Sequence, residues 1–301
     1  MSRRRKPLCA PPLEDALVIA VTGATGRFAR HAIDALIRRD AAADQGIDAV
    51  GRDRDKLLAP ADVGVVTRVA DDDRAALDIA FDGVDKVLFV SGNDVGNRLH
   101  QHRNVVDAAA EAKVDLIAYT SVSRADTTML LVAADHKPTE AYIRERGVRY
   151  VFLRNCWYLA NYSDMAATYL EAGAVLGDAG NGRLSAATHA DYSDAAAVVL
   201  TEDGHTRSVY ELGGDRAFTM AEFAEALSEL SGRAVGYTDP SADRYIQALQ
   251  GFGFPAGLAE VFADGDLGVA RGDLLVETDD LSRLIGRPTT PMPAAVAAAL
   301  G

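Results

Sequence analysis

The chain has 301 residues, 49% apolar and 25% charged, with 26 glycines and 10 prolines. That composition excludes a disordered chain, a collagen-like repeat and low-complexity sequence, and the length allows one large domain or two modest ones with a sizeable core. Acidic residues outnumber basic ones by 44 to 31, a net charge of −13, so the average surface repels a phosphate backbone and no nucleic-acid partner is expected.

Two cysteines, Cys9 and Cys156, make no disulfide framework and fit a reducing compartment. No run approaches the roughly 18 apolar residues of a membrane span. Pro7, Pro11, Pro12, Glu14 and Asp15 stand where a secretory leader would carry its apolar run. The expectation is a soluble, cytoplasmic protein with no membrane partner. Residues 1–15, with the short basic patch Arg3-Arg4-Arg5-Lys6, are expected to be a disordered tail.

The fold is expected to begin at Ala16. Ala16–Val21 is an unbroken apolar run, the pattern of a strand buried on both faces. The turn Thr22-Gly23-Ala24-Thr25-Gly26 follows, and then Ile33, Leu36 and Ile37 at helical spacing. Further strands are expected at Ile47–Gly51, Val63–Val69, Lys86–Val90, Leu116–Thr120 and Tyr150–Leu153. Between them the pattern predicts helices at Arg74–Phe81, Asn97–Lys113 and Thr139–Arg146. This alternation predicts an α/β fold, a Rossmann-type doubly wound parallel sheet over residues 16–155.

After Asn155 the rhythm loosens. Short strands are expected at Arg183–Ala186, Val209–Leu212 and Val235–Tyr237. Thr219 with Glu222 three residues later is a capping-box signature for a helix through Leu230, and further helices are expected at Ser241–Leu249 and Pro255–Phe262. Residues 156–301 read as a smaller, mostly substrate-facing α/β lobe, with elements near 188–212 returning to the sheet.

Gly23, Gly26 and Ala29 form a G-x-x-G-x-x-A pattern between a buried strand and a helix. That context predicts dinucleotide binding, because glycine lets the backbone approach a pyrophosphate and the helix start offers free N–H groups. Gly23, Ala24, Thr25, Gly26, Arg27 and Phe28 are the expected cradle. The second strand ends in Gly51-Arg52, with Arg54 and Lys56 close behind. Arg52 can pair bidentately with a 2′-phosphate, so NADPH is expected over a weaker NADH, against the competing acids Asp53 and Asp55. Asp71 is expected beside the adenine, and Ser91, Gly92 and Asn93 against the cofactor at the end of the fourth strand.

Val21–Gly26, Gln101–Val106, Ala118–Ser121, Ala125–Thr127, Asp135-His136 with Thr139-Glu140, Leu153–Asn155 with Trp157-Tyr158, and Leu284–Thr290 carry a resemblance. The chain resembles the atypical short-chain dehydrogenase/reductases, in their NmrA-like branch, and within it the type 2 NAD(P)H:quinone oxidoreductases. It implies NADPH-dependent two-electron reduction of quinones. Two other readings stay open: reduction of another flat electrophile such as a triphenylmethane dye, and a non-catalytic NADP(H)-sensing regulator.

Ordinary short-chain dehydrogenases use a serine and a Tyr-x-x-x-Lys pair. Ser121 stands near that serine's place, but His136 and Glu140 fall where the tyrosine and lysine would be. A quinone tolerates this loss, because hydride transfer yields an aromatic product and proximity supplies much of the catalysis. His136, Tyr158 and Asn161 are the candidates for donating a hydrogen bond or proton to the developing oxyanion, His136 having the alternative of capping a helix at Thr139. Asn155 and Trp157 are expected at the nicotinamide end, with Trp157 and Tyr158 free either to stack on a flat acceptor or to pack between the lobes. Cys156 reads as a small buried hydrophobe. His100, His102, His136 and Asp135 match no zinc spacing, so no metal is expected. The oligomeric state is left as monomer or homodimer, with Asn97–Lys113 a possible dimer face.

Overall fold

The computed structural model describes residues 17–39, 45–53, 56–57, 65–69, 73–92 and 98–301. The tail, Arg54, Asp55, Asp71 and Asn93 lie outside them. In chain order the first half runs β1 (Leu17–Val21), α1 (Arg27–Arg38), β2 (Gln45–Gly51), β3 (Val65–Val69), α2 (Arg74–Ala80), β4 (Lys86–Phe89), α3 (Arg98–Glu111), β5 (Leu116–Val122), α4 (Ala133–Glu145) and β6 (Tyr150–Asn155). Then follow α5 (Ala160–Ser163), α6 (Ala166–Ala172), β7 (Ala174–Leu176), α7 (His189–Thr201) and β8 (Ser208–Leu212). The chain ends with α8 (Met220–Ser231), β9 (Gly236–Thr238), α9 (Ala242–Gly251), α10 (Ala256–Arg271), α11 (Asp280–Ile285) and α12 (Met292–Leu300).

Seven strands form one parallel sheet in the order β3-β2-β1-β4-β5-β6-β8. Strand order reverses between β1 and β4, and that switch point opens a crevice at the carboxyl ends of the strands. Alternate residues commit to opposite faces. Ala118, Val151 and Leu153 pack with α1 and α7, whereas Ile117, Tyr119 and Phe152 pack with α2, α3 and α4. Such burial on both faces is why the strands read as near-continuous apolar runs.

Helix α4 starts at Ala133, six residues before the expected start, and carries Pro138 inside it. Proline there removes a helix hydrogen bond, so the pattern alone suggests a break. Buried Asp135, His136, Thr139 and Glu140 hold the turn through tertiary pairs instead. Helix α10 also runs past its expected end, through Gly265 and Gly268. A Cβ at Gly265 would lie 2.7 Å from the Trp157 ring, and one at Gly268 only 2.4 Å from Leu130. These glycines permit close packing rather than ending the helix.

The third core holds the elements after β6, including Trp157, Tyr162, Phe223, Tyr245 and Val269. The expected strand Arg183–Ala186 is reduced to an isolated bridge, Leu184 with Phe218, followed by a second just beyond it, Tyr158 with Ala187. The Thr219–Glu222 capping box forms in full, Glu222 N–H donating to Thr219 Oγ1 and Thr219 N–H to the Glu222 carboxylate. In this core Asp266 of α10 is fully buried, accepting from Tyr162 Oη at 2.7 Å and from the Asp178 N–H at 3.0 Å. Burial pushes its carboxyl up from 3.8 to about 6.

The folded chain therefore holds this proton more tightly than the unfolded one. Its contribution to stability is present at low pH and disappears as pH rises through that interval. In urea unfolding, the wild-type advantage over Asp266→Asn should shrink by about 2 kcal/mol from pH 4 to pH 7. Parallel pH profiles for the two proteins would contradict this.

Candidate active site

The glycine turn is built by geometry that few other sequences allow. Gly23 has φ +62°, in the left-handed region, and a Cβ on Gly26 would press to 3.2 Å from the Gly23 carbonyl. Ala24 N–H donates to Val50 O at 3.0 Å, tying the turn to β2. Gly23, Gly26 and Arg27 are exposed and Thr25 is partly so, whereas Ala24 and Phe28 point into the core. Gly26 is the N-cap of α1, with no capping side chain and no acid in the first turn. The helix start thus presents uncapped N–H groups and positive dipole charge to the crevice, a fit for a pyrophosphate.

The crevice edge continues along β4 and β5. Thr22 Oγ1 accepts from Val90 N–H at 2.9 Å, and Thr120 Oγ1 accepts from Ser91 N–H at 2.9 Å. The Gly92 carbonyl is held by Arg98 Nη1 at 2.7 Å. Arg98 is buried and pairs with buried Asp135 at 3.0 Å, so α4 fixes the segment after β4. Arg98 escaped the sequence reading, because an arginine opening a helix carries no mark of burial. Past β2, Arg52 is exposed, and Asp53, its acidic competitor, pairs with Lys56 at 3.0 Å.

The positions of the usual dehydrogenase relay are committed elsewhere. Ser121 Oγ donates to Glu140 Oε1 at 2.7 Å. Glu140 also takes Arg154 through both oxygens, Nε at 2.9 Å and Nη2 at 2.8 Å, and is almost fully buried. Arg154 reaches Asp126 at 3.0 Å and Glu211 at 2.9 Å, stitching β5, β6, β8 and α4 together. Of the two readings of His136, proton donor or structural residue, its surroundings favour the structural one. It lies inside α4, not at a cap, with Nδ1 2.7 Å from Tyr119 Oη. Burial, then Arg98, pushes it well below the usual histidine value, so the ring stays neutral. Burial also lowers His102 to about 3, with Nδ1 on Thr139 Oγ1 at 2.8 Å.

Beyond β6 the side chains divide. Trp157 is 8% exposed and packs in the third core against Gly265, the packing alternative of the two expected for it. Cys156 is buried, with burial raising its thiol out of the reactive range. Tyr158 turns the other way. Its ring stacks on His189 at 4.2 Å with 4° between planes, and meets Phe28 and Tyr192 edge-on. Asn155 Nδ2 donates to Tyr158 Oη at 3.3 Å, leaving the Tyr158 proton available. Burial raises Tyr158 to about 12. Asn155 is buried and its Oδ1 has no partner among the described residues, an acceptor awaiting a donor at the end of β6. Asn161 is partly exposed on α5, one turn beyond Tyr158, whose carbonyl accepts its N–H at 3.0 Å.

Residues 16–264 match the NmrA-like family. The chain belongs to the NmrA-like family. Among proteins similar to this NmrA-like chain, quinone oxidoreductase 2 of Escherichia coli (strain K12) is 44% identical over 276 residues, 91% of this chain and 96% of that protein. The crystal structure of an NADPH-dependent quinone oxidoreductase from Escherichia coli, complexed with NADPH, matches with a TM-score of 0.90 at 43% identity, covering 94% of this chain and 100% of that one. Triphenylmethane reductase of Citrobacter sp., complexed with NADP(H), gives a TM-score of 0.88 at 36% identity, covering 93% and 99%. Among the described residues of this NmrA-like chain, no helix is long and apolar enough to cross a membrane.

Proposed function

We propose that this protein is an NADPH-dependent reductase that transfers hydride to quinones. The observation that carries this reading is the pairing of an open glycine cradle with a locked relay. A chain that binds a dinucleotide while Ser121, His136 and Glu140 are tied into buried pairs does not have these three free to deprotonate an alcohol. A quinone requires none, since its reduction ends in an aromatic ring. The 44% identity to quinone oxidoreductase 2 supports the same acceptor class.

Gly23, Ala24, Thr25, Gly26, Arg27 and Phe28 hold the pyrophosphate through the first turn of α1, and Ser91 and Gly92 border the nicotinamide ribose. Bound NADPH supplies the hydride. Asn155 Oδ1 would be the acceptor for an amide donor of the bound cofactor, and its Nδ2 keeps the lone pair of Tyr158 occupied. Tyr158 Oη–H then donates to the acceptor oxygen on which negative charge develops, with Asn161 beside it. The acceptor is a flat aromatic molecule that fits against these groups; hydride and one proton complete the hydroquinone, and that proton comes from solvent.

Arg52 selects the phosphorylated cofactor. Arg52→Ala should weaken NADPH about tenfold and leave NADH within about twofold, the loss of one charge-assisted pair. Equal weakening of both in fluorescence titrations would contradict the 2′-phosphate role. The function itself is tested by mixing the protein with NADPH and small quinones and following the reduced-nicotinamide absorbance. Turnover on triphenylmethane dyes but not quinones would move the reading to that acceptor class, which the 36% identity to triphenylmethane reductase favours next. NADPH binding without turnover on either would point to a sensor.

A further inference from the structure

We propose that Asp164 sets the affinity for the cofactor by competing with it for Arg27. Arg27 is the first residue of α1, immediately after the N-cap Gly26. A cation at a helix start opposes the helix dipole, and α1 has no acid in its first turn to offset it. The partner comes instead from 137 residues away. Arg27 Nη1 lies 2.6 Å from Asp164 Oδ2, in the turn between α5 and α6. The pair thus joins the rim of the glycine cradle to the segment that carries Asn161.

Both side chains are about half exposed, 54% and 51%. An ion pair of that kind is weak and exchanges partners readily. Arg27 also lines an open cleft with Thr25, Arg30, His31 and Asp34. His31, which lines the same cleft, has its ring 6.3 Å from His189, and His189 stacks on Tyr158 at 4.2 Å.

A pyrophosphate brings two negative charges to this helix start. A guanidinium matches its oxygens better than it matches one exposed carboxylate, because the phosphate can be held by two parallel N–H bonds. Arg27 therefore changes partner when the cofactor binds. Asp164 is left without its cation, and the turn between α5 and α6 is released from α1. Asp164 is a positioning residue: it acts on the cofactor through Arg27, whose guanidinium it occupies until the cofactor binds.

The inference rests on the assignment of the cradle to NADPH and not on which acceptor is reduced, so its test contains no quinone. NADPH is titrated into the wild-type chain and into Asp164→Asn, Arg27→Ala, the double variant and Asp164→Glu, following cofactor fluorescence. Asp164→Asn should tighten NADPH about twofold to fivefold, the range available from freeing an exposed ion pair. Arg27→Ala should weaken it about tenfold. Asp164→Asn should add nothing in the Arg27→Ala background, and Asp164→Glu should restore the wild-type value. Unchanged or weaker binding by Asp164→Asn would overturn the proposal, and so would tightening that persists without Arg27. A wild-type chain that takes up no NADPH would remove the cofactor reading itself.

Discussion

Tyr158→Phe is expected to slow quinone reduction roughly a hundredfold, the lower end of what loss of one oxyanion donor costs. NADPH affinity should stay within about twofold, since the affected group meets the acceptor and not the phosphates. The phenylalanine ring keeps the stack on His189 and the edge contacts to Phe28 and Tyr192, so the wall of the crevice is preserved. Only the Oη–H is lost, and with it the group that Asn155 Nδ2 orients. Because burial holds Tyr158 near 12, the donor keeps its proton across the working range and the wild-type rate should show no tyrosine titration near neutrality. The split is read from kcat against the NADPH dissociation constant. A kcat within threefold of wild type would remove Tyr158 from the chemistry.

Arg154→Met is expected to destabilise the fold by about 3–5 kcal/mol, the cost of leaving a buried charge without its partner. Glu140 is 2% exposed and receives both Nε and Nη2 of Arg154. Without them its carboxylate keeps, among the described residues, Ser121 at 2.7 Å and a distant Arg144 at 3.5 Å. Replacing both partners removes the uncompensated charge, so Arg154→Met with Glu140→Met should be more stable than Arg154→Met alone. Urea unfolding of the two variants decides this. Additive losses would mean that the pair is not coupled.

Much of the fold is legible in the sequence because its strands are buried on both faces. Leu17–Val21 and the turn to Gly26 carry the pattern openly, since apolar continuity followed by two glycines has few other uses. The capping box at Thr219 is local chemistry and forms as read. What escapes is decided by distant partners. Helix α4 runs through Pro138 because Asp135 and Glu140 are anchored by Arg98 and Arg154. Helix α10 runs through Gly265 because Trp157 needs the space.

The candidate site divides in the same way. The cradle residues stand on a contiguous motif and could be named one by one. For Trp157 and Tyr158 the neighbouring letters suggest the same role, yet one enters the third core and the other stacks on His189. Which way each ring turns depends on α7 and α10, more than 30 positions later. His136 looks like a titrating group by residue type, and its burial against Tyr119 is invisible along the chain. Asp164 and Arg98 have no local mark at all.

The measurement that bears most directly on the central claim is a single turnover. The NADPH-loaded protein is mixed rapidly with excess benzoquinone, and the reduced-nicotinamide absorbance is followed beside the same mixture without protein. A fast, protein-dependent loss of one equivalent, slowed in Tyr158→Phe, is the predicted result. A loss no faster than in free solution would contradict a quinone reductase.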